Sequence, residues 1–264
     1  MDINDNEISV NGLTCEPRNG EDEPARMMSP SLHFIQLRRI WANVQFLDKS
    51  DVTSASHQQN AEHIDQQLLE WFRSAPPQPP DASSLFSGRD WLALSYHHSI
   101  LLLHRRRIVV GSAYQQIEQS HLKCAQSSVR ICEIYRNIYF MNTVSFTWGA
   151  LHVLFIAGLT FLHSLWTSQQ TRIACRRDVV KTCTNCTIVL VVMGERWNVA
   201  QPYRDIFNLL ADATQAMLTD TDGENQQLPA LRRADNIAIP ALLNSISEVG
   251  IDRSAEMLLH DMVE

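Results

Sequence analysis

The sequence predicts an all-α fold, a single multi-helix domain of about eight helices with disordered acidic termini. Hydrophobic residues make up 45% of the 264 residues and only 9 residues are glycine, a composition that favours packed helices over a loop-rich or disulfide-built fold. Apolar residues recur at spacings of three and four along most of the chain. No stretch alternates apolar and polar residues convincingly enough to predict a strand.

Charge divides the chain into three segments. Residues 1–30 carry seven acidic residues against two basic ones, and we expect a flexible acidic N-terminal segment because Pro17, Gly20 and Pro24 interrupt it. Residues 220–264, a loop and a weakly helical acidic tail, carry nine acidic residues against three basic ones. The helical segment 31–219 between them has seventeen basic and thirteen acidic residues, an excess too dispersed for a nucleic-acid interface.

The first half of segment 31–219 contains three predicted helices. Ser29-Pro30 begins a helix to about Asp48, whose apolar stripe consists of Leu37, Ile40, Trp41, Val44 and Leu47. The polar residues 49–60 predict a loop. A second helix cannot pass Pro76-Pro77 and is defined by Ile64, Leu68 and Trp71. The third, Asp90–Val110, is apolar on most of its surface and should be buried on nearly all sides.

The second half contains the longer predicted helices. The first is a long helix with one side that should pack against a partner helix. The residues on that side alternate at spacings of four and three: Ile117, His121, Cys124, Ser128, Ile131, Tyr135 and Ile138. An uncharged stretch, 137–170, contains the next helix. A further helix, ending near Arg196-Trp197, should bury Cys175, Val179, Cys183, Cys186, Leu190 and Met193. Pro202 can begin another, with Tyr203, Ile206, Phe207 and Leu210 inward, before a loop at Thr219–Pro229 and amphipathic stretches at Ala241–Val249 and Arg253–Val263.

The cysteines invite comparison with a zinc site. The chain has six, and Cys183-x-x-Cys186 with Cys175 upstream could supply thiolates. A closed structural zinc site needs four ligands, usually as two pairs on turns, whereas Cys183 and Cys186 lie within a helical pattern without a second pair. Buried core thiols are therefore the favoured interpretation, and no metal or cofactor is expected in this chain. No basic start is followed by an apolar segment, so we expect no signal peptide and reduced thiols.

Histidines suggest nucleophilic chemistry only weakly. His121-x-x-Cys124 has the spacing of a possible pair, and His97, His98 and His104 cluster in the third helix. No orienting third group, oxyanion turn, phosphate-binding loop or nucleophile elbow accompanies them. No catalytic residue is predicted, and His97 and His104 are interpreted as hydrogen-bonded structural residues.

The stretch Thr143–Trp166 has two interpretations. It is uncharged and long enough to cross a bilayer, with Trp148 and Trp166 near its ends. His152 and His163 lie within it, and a large all-α domain also buries a helix that is apolar all round. A central core helix is the favoured interpretation, with no membrane contact.

The cluster Arg105-Arg106-Arg107 also has two interpretations. Three consecutive arginines could be a nuclear-import or phosphate-binding signal. Arginines that end an apolar helix also cap its carbonyls and complement its dipole, and this second interpretation is favoured.

Several short motifs resemble, in order and spacing, the regulatory "middle homology" region of fungal binuclear zinc-cluster transcription factors. The strongest is Tyr96-His97-His98-Ser99-Ile100-Leu101-Leu102-Leu103-His104-Arg105, with Arg106 where the family usually has proline. Further matches are Asp2–Ile8, Phe34–Ile40, Leu68–Trp71 with Ala75-Pro76-Pro77, Cys124–Ser128, Arg196-Trp197 and Tyr203–Phe207. The resemblance extends over about residues 1–217.

The resemblance implies the C-terminal part of a regulatory domain. It implies control of RNA polymerase II transcription in the nucleus through protein contacts or self-association, with DNA bound only by a zinc cluster expected before Met1. Zinc would be confined to that missing N-terminal cluster. The alternatives left open are a single-span membrane protein that uses the 143–166 helix and a small helical enzyme.

Overall fold

The computed structural model describes residues 8–9, 12–13, 29–48, 54–75, 88–110, 114–140, 147–220 and 253–263. Within these ranges it contains nine α-helices, two short 3-10 helices and a pair of two-residue strands. The prediction of an all-α fold is confirmed. The chain separates into two compact units, Met1–Leu103 and His104–Glu264. The segment boundaries at residues 30 and 220 stay predictions.

A short strand pair lies near the N-terminus, where the sequence predicted none. Strand β1 (Ile8–Ser9) pairs antiparallel with β2 (Gly12–Leu13), so that Ile8 lies opposite Leu13. Two residues are too few to display the alternation by which a strand is recognised in a sequence. Most other residues of the two acidic ends that the sequence predicts to be flexible lie outside the described ranges. The exception is the C-terminal helix Arg253–Val263.

The first unit contains α1 (Ser29–Asp48), α2 (Ala55–Arg73) and the beginning of α3 (Arg89–Val110). Helices α1 and α2 pack against each other. The predicted stripes of both helices are confirmed, because their core, shared with α3, consists of Leu37, Val44, Leu47, Ala61, Ile64, Leu68, Trp71, Ile100 and Leu103. Ile40 and Trp41 are partly buried at its edge.

The loop predicted at residues 49–60 is wrong for its second half, because α2 already begins at Ala55. The hydroxyl of Ser54 caps this helix by accepting a hydrogen bond from the backbone N–H of His57, at 3.2 Å. Polar residues of the first turns lie on the solvent side, whereas His57 and Ala61 are buried. The helix ends before Pro76-Pro77, as the sequence predicts.

Two indoles give the first unit polar anchors. The ring N–H of Trp71 donates to the backbone carbonyl of His33 at 2.7 Å, and the His33 imidazole stacks on the Trp71 ring. The ring N–H of Trp41 donates to the hydroxyl of Ser99, also at 2.7 Å. A buried indole N–H that lacks an acceptor is costly, so these bonds favour one register of α1 against its neighbours.

The second unit is built around α5 (Trp148–Thr167), which packs against α4 (Tyr114–Phe140), α6 (Gln169–Cys175), α7 (Val179–Arg196), α8 (Gln201–Asp220) and α9 (Arg253–Val263). Thirteen of the twenty α5 residues are buried. The favoured sequence interpretation of this segment as a core helix agrees with that burial, although the helix begins at Trp148 and residues 143–146 lie outside the described ranges.

Helices α5, α7 and α8 approach closely at Gly158. A β-carbon there would lie 2.6 Å from a ring carbon of Phe207 on α8 and 2.8 Å from the sulfur of Cys186 on α7. Both distances are shorter than real contacts allow, so only glycine fits. The inward face predicted for α8 is confirmed, because four side chains are at most 1% exposed: Tyr203, Ile206, Phe207 and Leu210.

The predicted helix around the cysteines is interrupted where the sequence showed one continuous stripe. Cys175 is the last residue of α6, and a 3-10 turn over residues 176–178 precedes α7. The side chains predicted to point inward are nevertheless all buried, because the turn keeps the helical sense of the chain. The amphipathic stretch predicted at Arg253–Val263 is confirmed as helix α9.

Candidate functional site

Two histidines and one carboxylate meet where α4, α5 and α9 pack. His121 on α4 and His163 on α5 are each 1% exposed, and their rings stack with centroids 5.8 Å apart. The Nε2–H of His163 donates to the carboxylate of Asp261 on α9, with a separation of 2.6 Å. Asp261 is largely exposed, so the pair joins a buried imidazole to the surface of the second unit.

Burial controls the charge of both rings. The pKa of His121 is lowered to about 4, chiefly by desolvation and also by the neighbouring His163, whereas Asp261 opposes the shift. Desolvation also lowers the pKa of His163, and the hydrogen bond to Asp261 opposes that shift in turn. Both imidazoles are therefore neutral at pH 7, and the bond from His163 to Asp261 is a charge-assisted one.

This arrangement lacks the parts of a catalytic centre. Both ring nitrogens of His121 are buried without a hydrogen-bond partner in the described part of the chain. The His121-x-x-Cys124 spacing therefore does not produce the thiol–imidazole bond that an activated cysteine nucleophile requires. Cys124 is completely buried. What the cluster can do is hold α9 against α5 while both histidines stay neutral.

The cysteines of α4 and α7 form a second buried group. Cys132, Cys183 and Cys186 are free thiols with at most 2% exposure. Burial raises the pKa of Cys183 to about 12, and it also raises that of Cys186, which has Cys132 as a neighbour. The thiol of Cys186 lies 3.9 Å from the backbone carbonyl of Leu154. The thiols of Cys183 and Cys186 therefore stay protonated at pH 7, as core packing groups do.

No metal-binding arrangement is found within the described ranges. No group of three or more histidine, cysteine, aspartate or glutamate side chains there could hold a metal ion. Cys175, the third cysteine of the predicted zinc interpretation, is buried at the end of α6, where burial raises its pKa to about 11. The expectation that this chain holds neither metal nor cofactor stays a prediction.

The histidines and arginines of helix α3 that the sequence analysis singled out differ from one another in burial and in contacts. His104 is buried and its Nδ1 lies 3.2 Å from the hydroxyl of Ser120, which agrees with the structural interpretation of this residue. His97 and His98 are only partly buried and contact aromatic rings of the first unit. The helix ends at Val110 as predicted and has Arg107 in its last turn, which agrees with the interpretation that arginines near its end complement the helix dipole. Arg105 and Arg107 are 4% exposed, which argues against an accessible import signal.

Helix α5 is the only described helix long and apolar enough to cross a membrane by length and composition. In its most apolar stretch, 72% of the residues are buried inside the fold. A spanning helix must instead present apolar side chains to lipid, so burial by five protein helices favours the core interpretation.

Sequence reasoning missed the contact between His163 and Asp261. The two residues lie 98 positions apart, and neither stands in a recognisable motif. A weak signal existed, since an uncharged helix that contains a histidine needs a polar partner from elsewhere.

The chain is similar to two curated fungal proteins. It is 26% identical over 185 residues to a positive regulator of purine utilization from Emericella nidulans, a match that covers 62% of this chain and 17% of that protein. It is 25% identical over 150 residues to an uncharacterized transcriptional regulatory protein from Saccharomyces cerevisiae, covering 50% of this chain and 11% of that protein. These similarities confirm the resemblance to fungal transcription factors, of which the chain spans only a small part.

No protein-family model and no solved structure matches the chain.

Proposed function

We propose that this chain is part of the regulatory region of a fungal transcription factor and acts in the nucleus through protein contacts. The observation that supports this most is the similarity to two fungal regulators over 185 and 150 residues. The ordered motifs that resemble the middle homology region also support the proposal. In this proposal, DNA recognition belongs to a zinc cluster in another part of such a factor.

The packing supports a scaffold role for the motif residues. Tyr96 of the first unit stacks on Phe72 with ring centroids 4.8 Å apart, and Leu101 and Leu103 are buried. Cys124, Ser127 and Ser128 of a later motif are buried in α4. A family motif made of core residues preserves a fold, and we therefore infer that binding partners contact surface residues around it.

The distribution of charged residues supports a role in which this chain does not bind DNA directly. Segment 31–219 has an excess of only four basic residues over acidic ones, spread along eight helices. A protein that neutralises several phosphates needs a concentrated basic face. We propose that this chain alone binds no specific DNA sequence and has no enzymatic activity.

Recruitment to a promoter tests the proposal. The full chain is fused to a heterologous bacterial DNA-binding domain in yeast, and the reporter carries the matching operator. We expect reporter expression to rise or fall at least about threefold relative to the DNA-binding domain alone, which is roughly 0.6 kcal/mol of recruitment free energy. The matched control is the same fusion with Gly158→Trp, which cannot be accommodated between Phe207 and Cys186.

Two outcomes would contradict the proposal. One is an unchanged reporter although the fusion protein is nuclear, intact and folded. The other is sequence-selective DNA binding by the unfused chain, seen in a gel-shift titration at physiological salt.

A further inference from the structure

One surface of the second unit is apolar and basic at once. The corner between α6 and α7 exposes six neighbouring side chains, called the α6–α7 patch: Ile173, Ala174, Arg176, Arg177, Val180 and Lys181. Ile173 is 70% exposed and Val180 is 63% exposed. Large aliphatic side chains exposed singly are normal on a protein surface, but here two of them flank a pair of arginines on one continuous stripe.

These side chains are exposed around one 3-10 turn. Arg176 (φ −50, ψ −39) and Val179 (φ −57, ψ −58) are right-handed helical, whereas Cys175 (φ −98, ψ 6) departs from helical geometry and separates α6 from the turn. Cys175 and Val179 point into the core and are at most 3% exposed. The exposed positions 173, 176, 177 and 180 lie on either side of this turn, so that Ile173 and Val180 are separated by at most roughly 14 Å of helical rise.

Hydrogen bonds order the junction between α5 and α6, next to the patch. The Ser168 hydroxyl caps α6 by accepting from the backbone N–H of Thr171 at 3.0 Å. The guanidinium of Arg172 donates to the carbonyls of Leu165 and Trp166 at 2.8 and 3.0 Å, which closes the end of α5. The N-terminal end of α6 is therefore already ordered, and an ordered helix loses little entropy when a partner binds to it.

The charge of the patch is unbalanced. Residues 172–181 contain four basic residues and one acidic residue in a chain of net charge −7. Lys181 pairs with Glu133 at 2.9 Å. In the part of the chain that the structure describes, Arg176 and Arg177 are exposed and take part in no ion pair. Two free guanidinium groups beside aliphatic side chains complement a ligand that is acidic and apolar together.

We propose that the α6–α7 patch binds an acidic amphipathic segment of a partner protein. Apolar side chains of that segment contact Ile173 and Val180, and its carboxylates pair with Arg176 and Arg177. A nucleic acid fits less well, because exposed aliphatic side chains offer nothing to phosphates and two cations neutralise few of them. This inference deepens the proposed function, on which it rests, by naming the chemistry of one partner.

A random peptide library tests the chemistry without assuming a partner. Displayed 16-residue random peptides are selected on the purified full chain and competed with salt. We expect enriched peptides to carry a net charge of about −3 or lower together with two large apolar residues at helical spacing. Enrichment of basic or uncharged peptides, or no enrichment above an unrelated protein, would overturn the proposal.

Paired variants locate the binding surface. The best enriched peptide is labelled with fluorescein and titrated by anisotropy against the chain. Arg176→Gln with Arg177→Gln, and separately Ile173→Ser with Val180→Ser, should each weaken binding at least about tenfold, or 1.4 kcal/mol. The matched control is Ile35→Ser with Arg39→Gln on α1, which removes one exposed aliphatic and one exposed basic side chain elsewhere. Equal weakening by the control, or none by the patch variants, refutes the assignment.

Two further arms separate this inference from rival ligands and from the proposed function. The rival ligands are vesicles containing phosphatidylserine and a 20-base-pair DNA duplex. If either one binds more tightly than the peptide, and the patch variants weaken that binding, the choice of an acidic protein segment is overturned. In the tethered reporter, an active wild-type fusion whose activity the patch variants leave unchanged contradicts the patch alone. A silent wild-type fusion contradicts the proposed function.

Discussion

Asp261 on α9 accepts a hydrogen bond from His163 on α5, with the two atoms 2.6 Å apart. His163 is almost fully buried, and the helix that carries Asp261 inserts Ala255, Leu258, Leu259 and Met262 into the second unit. One polar contact therefore determines the register in which an amphipathic helix covers the central helix. The acidic tail is structural in this part rather than only a charged extension.

We expect Asp261→Ala to destabilise the second unit by about 1–2 kcal/mol, because it leaves a buried imidazole N–H without an acceptor. The exposure of Asp261 limits the effect through solvent screening. Urea denaturation followed by circular dichroism measures the change. Glu256→Ala is the matched control, since Glu256 is an exposed acid on the same helix. A control variant as unstable as Asp261→Ala would mean that overall charge, not the bond, matters.

Stability should fall as the pH is lowered through the range in which histidine titrates in water. The pKa of His121 is about 4 in the fold, against 6.5 for its ordinary value, and the pKa of His163 is also lowered by burial. The unfolded chain therefore binds more protons between these values, so stability is complete above about pH 6.5 and is lost progressively towards pH 4. The loss due to His121 is at most about 3 kcal/mol.

Measurement of the unfolding free energy at pH 7.0, 6.0 and 5.0 checks this dependence. His121→Leu removes one titrating group and should flatten the slope over that range. An identical slope in the variant and the parent protein would show that other groups control the acid sensitivity.

Gly158 and Gly149 offer a matched comparison on helix α5. Gly158→Ala would drive a methyl group into Phe207 and Cys186, and we expect a loss of about 1–3 kcal/mol. Gly149 is exposed, and a β-carbon there meets only the Thr147 hydroxyl at 3.8 Å. Gly149→Ala should therefore stabilise the helix by up to about 1 kcal/mol. Thermal melts of both variants decide the matter, and a tolerated Gly158→Ala would contradict the three-helix contact.

The helices themselves were predictable because burial leaves a periodic pattern in the sequence. The stripe ending at Leu47 and the inward face of α8 from Tyr203 to Leu210 are both confirmed. Such patterns need only one side of a helix to be apolar. The beginning of α2 escaped prediction because its first turns are mostly polar, and the capping role of Ser54 becomes clear only with the structure.

Contacts between distant residues could not be predicted from one sequence. The approach of Phe207 and Cys186 to Gly158 depends on how three helices cross, which spacing within each helix does not specify. The α6–α7 patch was missed for a related reason. The sequence predicts one helix with Cys175 to Met193 on its buried side, whereas the structure divides that stretch between α6 and α7 at a 3-10 turn.

We expect the purified chain to carry no stoichiometric zinc. A closed zinc site needs four ligands, and the part of the chain that the structure describes brings together no group of three or more side chains that could hold a metal ion. Metal analysis after mild dialysis checks this expectation. One tightly held zinc per chain that disappears when Cys183→Ser and Cys186→Ser are combined would contradict the assignment of these residues as core thiols.

Helix α5 should behave as a protein core helix and not as a membrane span. Leu154 is completely buried in the middle of α5, so Leu154→Arg would place an unpaired charge in the core and cost several kcal/mol, about 3–5. Thr167→Arg, at the exposed end of the same helix, is the matched control and should fold normally. Cells that express each form are broken without detergent, and the membrane fraction is washed at alkaline pH. We expect the parent chain and Thr167→Arg in the supernatant as folded protein and Leu154→Arg as an aggregate. Folded parent chain that stays in the washed membranes would instead support a span, because only an inserted helix resists extraction at that pH.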